Sequence, residues 1–151
     1  MKKFKFSLEK VLQLKEQLLK NLKNDLSFLQ LALKEKEAEI QELWAKYYKT
    51  DNEYKEKSSH SIMPYEIAHY KDYMTSITNM IKKNEEEKAV ILKKIEAKKQ
   101  EIISMNIEIS TLEKLKDKKL VKYNYKVNKM EEIMIEEFVS NSSTVSAKVD
   151  F

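Results

Sequence analysis

Only two histidines, His60 and His69, stand among the 151 residues, and there is no cysteine, so thiol nucleophiles and thiolate ligands are absent and imidazole bases are scarce. The two histidines flank the single proline, Pro64, at a separation that does not fit the i, i+4 spacing of an HExxH zinc helix. Carboxylates are plentiful but stand in runs such as Glu85-Glu86-Glu87. On a solvated helix nothing buries one of them to raise its pKa for acid–base work. The absence of Gly removes P-loops and dinucleotide-binding turns. Neither catalysis nor a cofactor or metal site is expected.

All 29 basic residues are Lys, which removes bidentate guanidinium clamps on phosphate. Tyr123 and Tyr125 lie among lysines, but no helix-turn-helix, zinc finger or aromatic stacking sheet accompanies them. A basic zipper would need a clean basic block, and Glu113 and Asp117 interrupt this one. Nucleic acid is not an expected partner.

The elements that carry these residues follow from composition. With 36% charged and 42% hydrophobic residues, no Gly and one Pro, the chain is suited to long helices and lacks the punctuation of a β-fold. No apolar run approaches the roughly 18 residues that span a bilayer. The opening Met1-Lys2-Lys3-Phe4-Lys5-Phe6 is basic, but no apolar signal core follows. The expectation is a soluble cytoplasmic protein.

An apolar seven-residue repeat predicts the first helix, over about 7–57. One column reads Leu12, Leu19, Leu26, Leu33, Ile40, Tyr47, Tyr54; the other reads Leu8, Lys15, Leu22, Leu29, Lys36, Leu43, Thr50. Alternating steps of three and four make a coiled-coil seam. The pattern fails over about 58–63, where Ser58, Ser59 and Ser61 compete for backbone hydrogen bonds and Pro64 disfavours helix at Met63. Pro64 suits the first turn of a second helix, predicted over about 64–138. Its seam runs Ile67, Tyr70, Met74, Ile77, Ile81, Asn84, Lys88, Ile91, Ile95, Lys98, Ile102, Met105, Ile109, Leu112. Beyond Leu112 a one-residue shift restores an apolar column at Leu120, Tyr123, Val127, Met130 and Met134. Residues 139–151, with Ser140-Asn141-Ser142-Ser143-Thr144, lack periodicity and are expected to form a flexible tail.

The fold class expected is therefore all-α: one long antiparallel two-helix coiled-coil hairpin over 1–138, with an overhanging C-terminal helix. At 1.5 Å per residue the helices would be roughly 75 and 110 Å long, so some 20 residues of the second would overhang. Charge is polarised along this layout. Residues 1–20 carry six Lys against Glu9 and Glu16, and residues 112–130 carry seven Lys against Glu113 and Asp117. These segments hold +4 and +5 of a chain whose net charge is +4, so the remainder is −5. Both basic segments fall at the end of the hairpin away from its turn, which should seek an acidic surface.

Two blocks carry a resemblance. The first is Phe4-x-Phe6-x-Leu8-Glu9-Lys10-Val11-Leu12-x-Leu14-Lys15-Glu16. The second is Leu112-Glu113-Lys114-Leu115-Lys116-Asp117-Lys118-Lys119, then Tyr123, then Glu131 and Ile135-Glu136-Glu137. In order and separation they resemble the FliJ family of flagellar type III export proteins. Glu132 stands where that family commonly has Gln, and Ile135-Glu136 where it has Leu-Asp. The resemblance implies an antiparallel hairpin similar to the two-helix stalk of the rotary ATPase γ subunit. It also implies a non-enzymatic role, with the hexameric flagellar export ATPase, the cytoplasmic domain of the export gate and export chaperones as partners. The location implied is the inner face of the cell membrane at the flagellar base, held peripherally.

Placed on that layout, the ATPase-ring contact is expected at Phe6, Leu8, Val11, Leu12, Leu115, Lys116, Lys119, Lys122, Tyr123 and Met130. The gate contact is expected at Tyr65, Tyr70 and Tyr73, near the turn, where tyrosines offer large amphipathic contact area. Three other readings fit the same residues: a stalk of a virulence type III secretion system, a generic scaffold that dimerises through its overhang, and a peripheral membrane element anchored by Phe4, Phe6 and nearby lysines.

Overall fold

The computed structural model describes residues 2–149. Two long helices pack against each other: α1, Glu9–His60, and α2, Pro64–Val149. No strand occurs among the described residues. Residues 2–6 precede α1 without helical structure. At the start of α1 the Leu12 amide donates to the Leu8 carbonyl, and the Glu9 amide donates to the Phe6 carbonyl.

Three differences from the expected boundaries have local causes. Helix α1 runs three residues past Lys57, because Ser58 and Ser59 tolerate the helix; the Ser59 hydroxyl donates back to the Glu56 carbonyl. The break waits for 61–63, where Pro64 forbids helix in the residue before it. The Met63 carbonyl then accepts from the amides of Glu66 and Ile67, and Pro64, having no N–H to satisfy, opens α2. At the far end α2 continues past Phe138 to Val149. Serine and asparagine lower helix propensity there but neither Gly nor Pro stops the helix, and Thr144 bonds back to the Ser140 carbonyl. Of the expected tail, Asp150 and Phe151 lie outside the described residues.

The chain forms two compact units, one joining residues up to Leu18 with those from Ser104 onward, the other comprising Leu19–Ile103. Within the second unit, partners on the two helices run in opposite senses: Asp25 meets Lys98, Lys36 meets Glu87, and Tyr54 meets Tyr70. Ile40, Ile77, Ile81 and Ile95 are its buried apolar residues. Within the first unit the same reversal holds, with Lys15 on Glu108 and Glu9 on Lys116 around buried Phe6, Leu12 and Ile109.

Every residue of both expected α1 columns, from Leu8 to Tyr54, is buried or half-buried, and so is every residue of the α2 seam from Ile67 to Leu112. After Leu112 burial follows each spacing in part: Lys116 is half-buried on the original one, Val127 on the shifted one, and Tyr123, common to both, is half-buried, while Lys119, Leu120 and Lys126 are exposed. The lysines on these inward stripes are each answered across the helix pair. Lys15 bonds Glu108 at 2.8 Å, Lys36 bonds Glu87 at 2.7 Å, and Lys116 bonds Glu9 at 2.8 Å. Lys88 lies 3.7 Å from Glu37, and Lys98 lies 3.8 Å from Asp25. Apolar stems stay in the packed stripe and the ammonium groups reach its rim, so a lysine occupies a seam position without stranding its charge.

Candidate functional site

In the first unit the non-helical residues 2–6 are pinned onto α2 by aromatic packing. The Tyr123 hydroxyl donates to the Lys2 carbonyl at 2.6 Å, and the Phe4 and Tyr123 rings lie 5.6 Å apart. Phe6 is 7% exposed, and the Lys119 ammonium stands 5.8 Å from the centre of its ring. This docking sets Lys2, Lys3 and Lys5 beside Lys119, Lys122 and Lys126 around an open groove of about 1010 Å³ with Phe4 and Tyr123 in its wall. No carboxylate lines the groove, and none of these six lysines forms an ion pair among the described residues. Gathering like charges is unfavourable, and the aromatic packing offsets that cost. The product is a surface with a strong preference for negative charge.

Neighbouring Lys116 differs. Its bond to Glu9 raises its pKa above the ordinary lysine value, so its charge is already spoken for inside the unit. Of the residues expected to meet an ATPase ring, Phe6 and Leu12 are buried within the unit, and Leu8 and Tyr123 are half-buried. Val11, Leu115, Lys119, Lys122 and Met130 are exposed. From 128 to 144 every residue of α2 is exposed, with Ile133, Met134, Ile135, Phe138 and Val139 open to solvent. Lys2, Lys3, Lys5 and Lys126 belong to the two segments expected to be basic but were not among the residues expected at the ring contact. No periodicity marks residues 2–6.

The second unit carries a separate cavity of about 700 Å³, lined by Thr50, Glu53, Lys57, Tyr65, Glu66, His69, Tyr70 and Tyr73. The three tyrosines expected to meet the export gate therefore line one space. Tyr65 is exposed, with its hydroxyl 3.3 Å from the Glu66 carboxylate; Tyr73 is exposed; Tyr70 is half-buried against Tyr54, with the Lys57 ammonium 5.5 Å from its ring centre. Further along α1, Trp44, Tyr47 and Tyr48 form a cluster with Trp44 and Tyr48 stacked at 5.7 Å and both exposed. The repeat marked only Tyr47 of these three.

Paired helices with a lysine-and-aromatic groove in one unit and a tyrosine-lined cavity in the other belong to an all-helical protein that offers surfaces to partners. No helix among the described residues is long and apolar enough to cross a membrane. The family described as Flagellar FliJ protein matches residues 4–148, nearly the whole chain, and the protein belongs to that family. Neither the curated proteins nor the solved structures yielded a match. Membership makes this a flagellar-type, export-associated protein.

Proposed function

We propose that this protein is a stalk-like component of the bacterial flagellar type III protein export apparatus, an antiparallel coiled-coil hairpin whose second helix overhangs the first. In this reading it binds the hexameric export ATPase and the cytoplasmic domain of the export gate, and so promotes export of flagellar subunits. Export chaperones are further partners. It works at the inner face of the cell membrane, held there by its partners.

The lysine groove of the first unit carries this reading, together with the family membership. Lys119, Lys122 and their neighbours would accelerate encounter with an acidic ring interior, and Val11, Leu115 and Met130 would add apolar contact at about 25 cal/mol per Å² before ordering costs. Phe6, Leu8, Leu12 and Tyr123 would hold this surface in shape, and Lys116 would act through Glu9. Tyr65, Tyr70 and Tyr73 would serve the gate. Stimulated hydrolysis would follow from a shift of the ATPase toward its assembled hexamer, with no group of this chain entering the reaction.

The test is ATPase activity of the export ATPase against added protein, wild type and Lys119→Glu with Lys122→Glu. Circular dichroism first establishes that the variant is helical. Half-maximal stimulation by the variant is expected to need roughly tenfold more protein, and the wild-type effect is expected to fall with salt. Stimulation by the variant at wild-type concentrations would remove the groove from the ring contact.

A further inference from the structure

Past Lys116 the half-buried positions of α2 among the described residues are Tyr123 and Val127, and Lys119 and Lys126 beside them are exposed. Steps of four and three from Lys119 place Tyr123, Lys126, Met130, Ile133 and Glu137 on one face. Earlier on the stripes of this unit, Lys15 meets Glu108 and Lys116 meets Glu9. Lys119 and Lys126 meet no carboxylate among the described residues. Downstream the character reverses. Met130 and Ile133 are each 50% exposed, and residues 131–138 hold Glu131, Glu132, Glu136 and Glu137 with no lysine. One half of the face is basic, and the other is acidic and apolar. Glu132 pairs locally with Lys129 at 3.8 Å, but because α2 is unbroken the acidic half cannot fold back onto Lys119 and Lys126. A second molecule does not have that constraint.

We propose that residues 131–138 of a second copy of this chain dock in the lysine groove, each copy giving its acidic half to the other's basic half in a two-fold, antiparallel pairing. Read in reverse, the face matches itself: Glu137 falls opposite Lys119, Ile133 opposite Tyr123, and Met130 opposite the stem of Lys126. The two-fold arrangement fills both grooves at once and closes at a dimer. Apolar contact at Met130 and Ile133 supplies affinity, while charge fixes the direction, since a parallel pairing sets carboxylate against carboxylate and lysine against lysine. An anionic membrane is a weaker fit to the same lysines. Phe4 and Phe6 turn inward onto α2, leaving no aromatic anchor for the bilayer, and the four adjacent glutamates would be repelled.

The experiment uses the full chain alone, with no ATPase present, so its outcome is separate from that of the ring contact. Sedimentation of about 100 μM protein at about 50 mM and about 500 mM salt is expected to show dimer in the first and monomer in the second. Lys119→Glu with Lys126→Glu, and Glu136→Lys with Glu137→Lys, are each expected to be monomeric alone and to form a heterodimer when mixed. Should either lose helicity, Lys126→Gln and Glu137→Gln repeat the test, each weakening association by about tenfold. A wild type that stays monomeric at low salt overturns the proposal. So does a reversed variant that dimerises as well as wild type, or a mixture that stays monomeric. Vesicles rich in phosphatidylglycerol that bind a monomeric wild type would assign the groove to a membrane instead.

Discussion

Replacing Ile77 by alanine tests the packing of the second unit in a way that separates packing from helix propensity. Ile77 is 3% exposed and Ile103, on the same helix and in the same unit, is 51% exposed. Both substitutions remove three carbons and both exchange isoleucine for the better helix former, so propensity cancels between them. At about 0.8 kcal/mol per buried carbon, Ile77→Ala loses about 2.4 kcal/mol of transfer energy. A cavity term adds little, because a site between only two helices readily admits water or collapses. Ile103→Ala should lose half as much, roughly 1.2 kcal/mol, since half of its surface is already wet. Urea unfolding followed by circular dichroism is expected to show a difference of about 1 kcal/mol at unchanged m-value. Equal losses at the two positions would mean that Ile77 is not in a packed stripe, and the inward face of α2 would have to be redrawn.

Two further outcomes follow from the polar contacts. Tyr123→Phe keeps the ring against Phe4 but removes the bond to the Lys2 carbonyl, so residues 2–6 should loosen by about 0.5–1.5 kcal/mol, read as faster proteolysis near Lys2 and Lys3 with helicity unchanged. Lys36 holds the Glu87 carboxyl below its ordinary value, first through their hydrogen bond and then through its charge. That contribution is complete above the ordinary carboxylate value of 4.5 and is lost as pH falls through the lower folded value, so thermal stability should drop with acid below about pH 4.5 less steeply in Glu87→Gln than in wild type.

The seams were legible because a period of three and four survives any single polar interruption. Lys15, Lys36 and Thr50 broke the apolar columns of α1, yet each is buried or half-buried where the spacing put it. Around the expected shift the outcome is divided: Leu120 is exposed, Val127 is half-buried, and Lys116, on the unshifted spacing, lays its stem inward toward Glu9. Residues 2–6 were opaque. Their place depends on Tyr123 meeting Phe4, a contact between residues far apart in sequence that no local pattern encodes. Helix α2 runs on to Val149 through weak helix formers, since a helix ends most firmly at Gly or Pro and this stretch has neither.

The division of the chain into a continuous unit and one made from its two ends has a kinetic consequence. In Leu19–Ile103 the contact of Tyr54 with Tyr70 closes a short loop around 61–63, and each further pair lengthens that loop only gradually. The first unit has no such start of its own, for Lys15 and Glu108 are separated by 93 positions and Lys2 and Tyr123 by 121. An unstructured loop of that length costs closure entropy before any contact rewards it, so the interior zips first and shortens the search for the ends. By the same ordering reversed in time, the lysine groove is expected to open before the interior pairs of Leu19–Ile103, which amide hydrogen exchange of residues 2–6 against that interior would read. A partner that binds the groove would then carry part of the cost of ordering it.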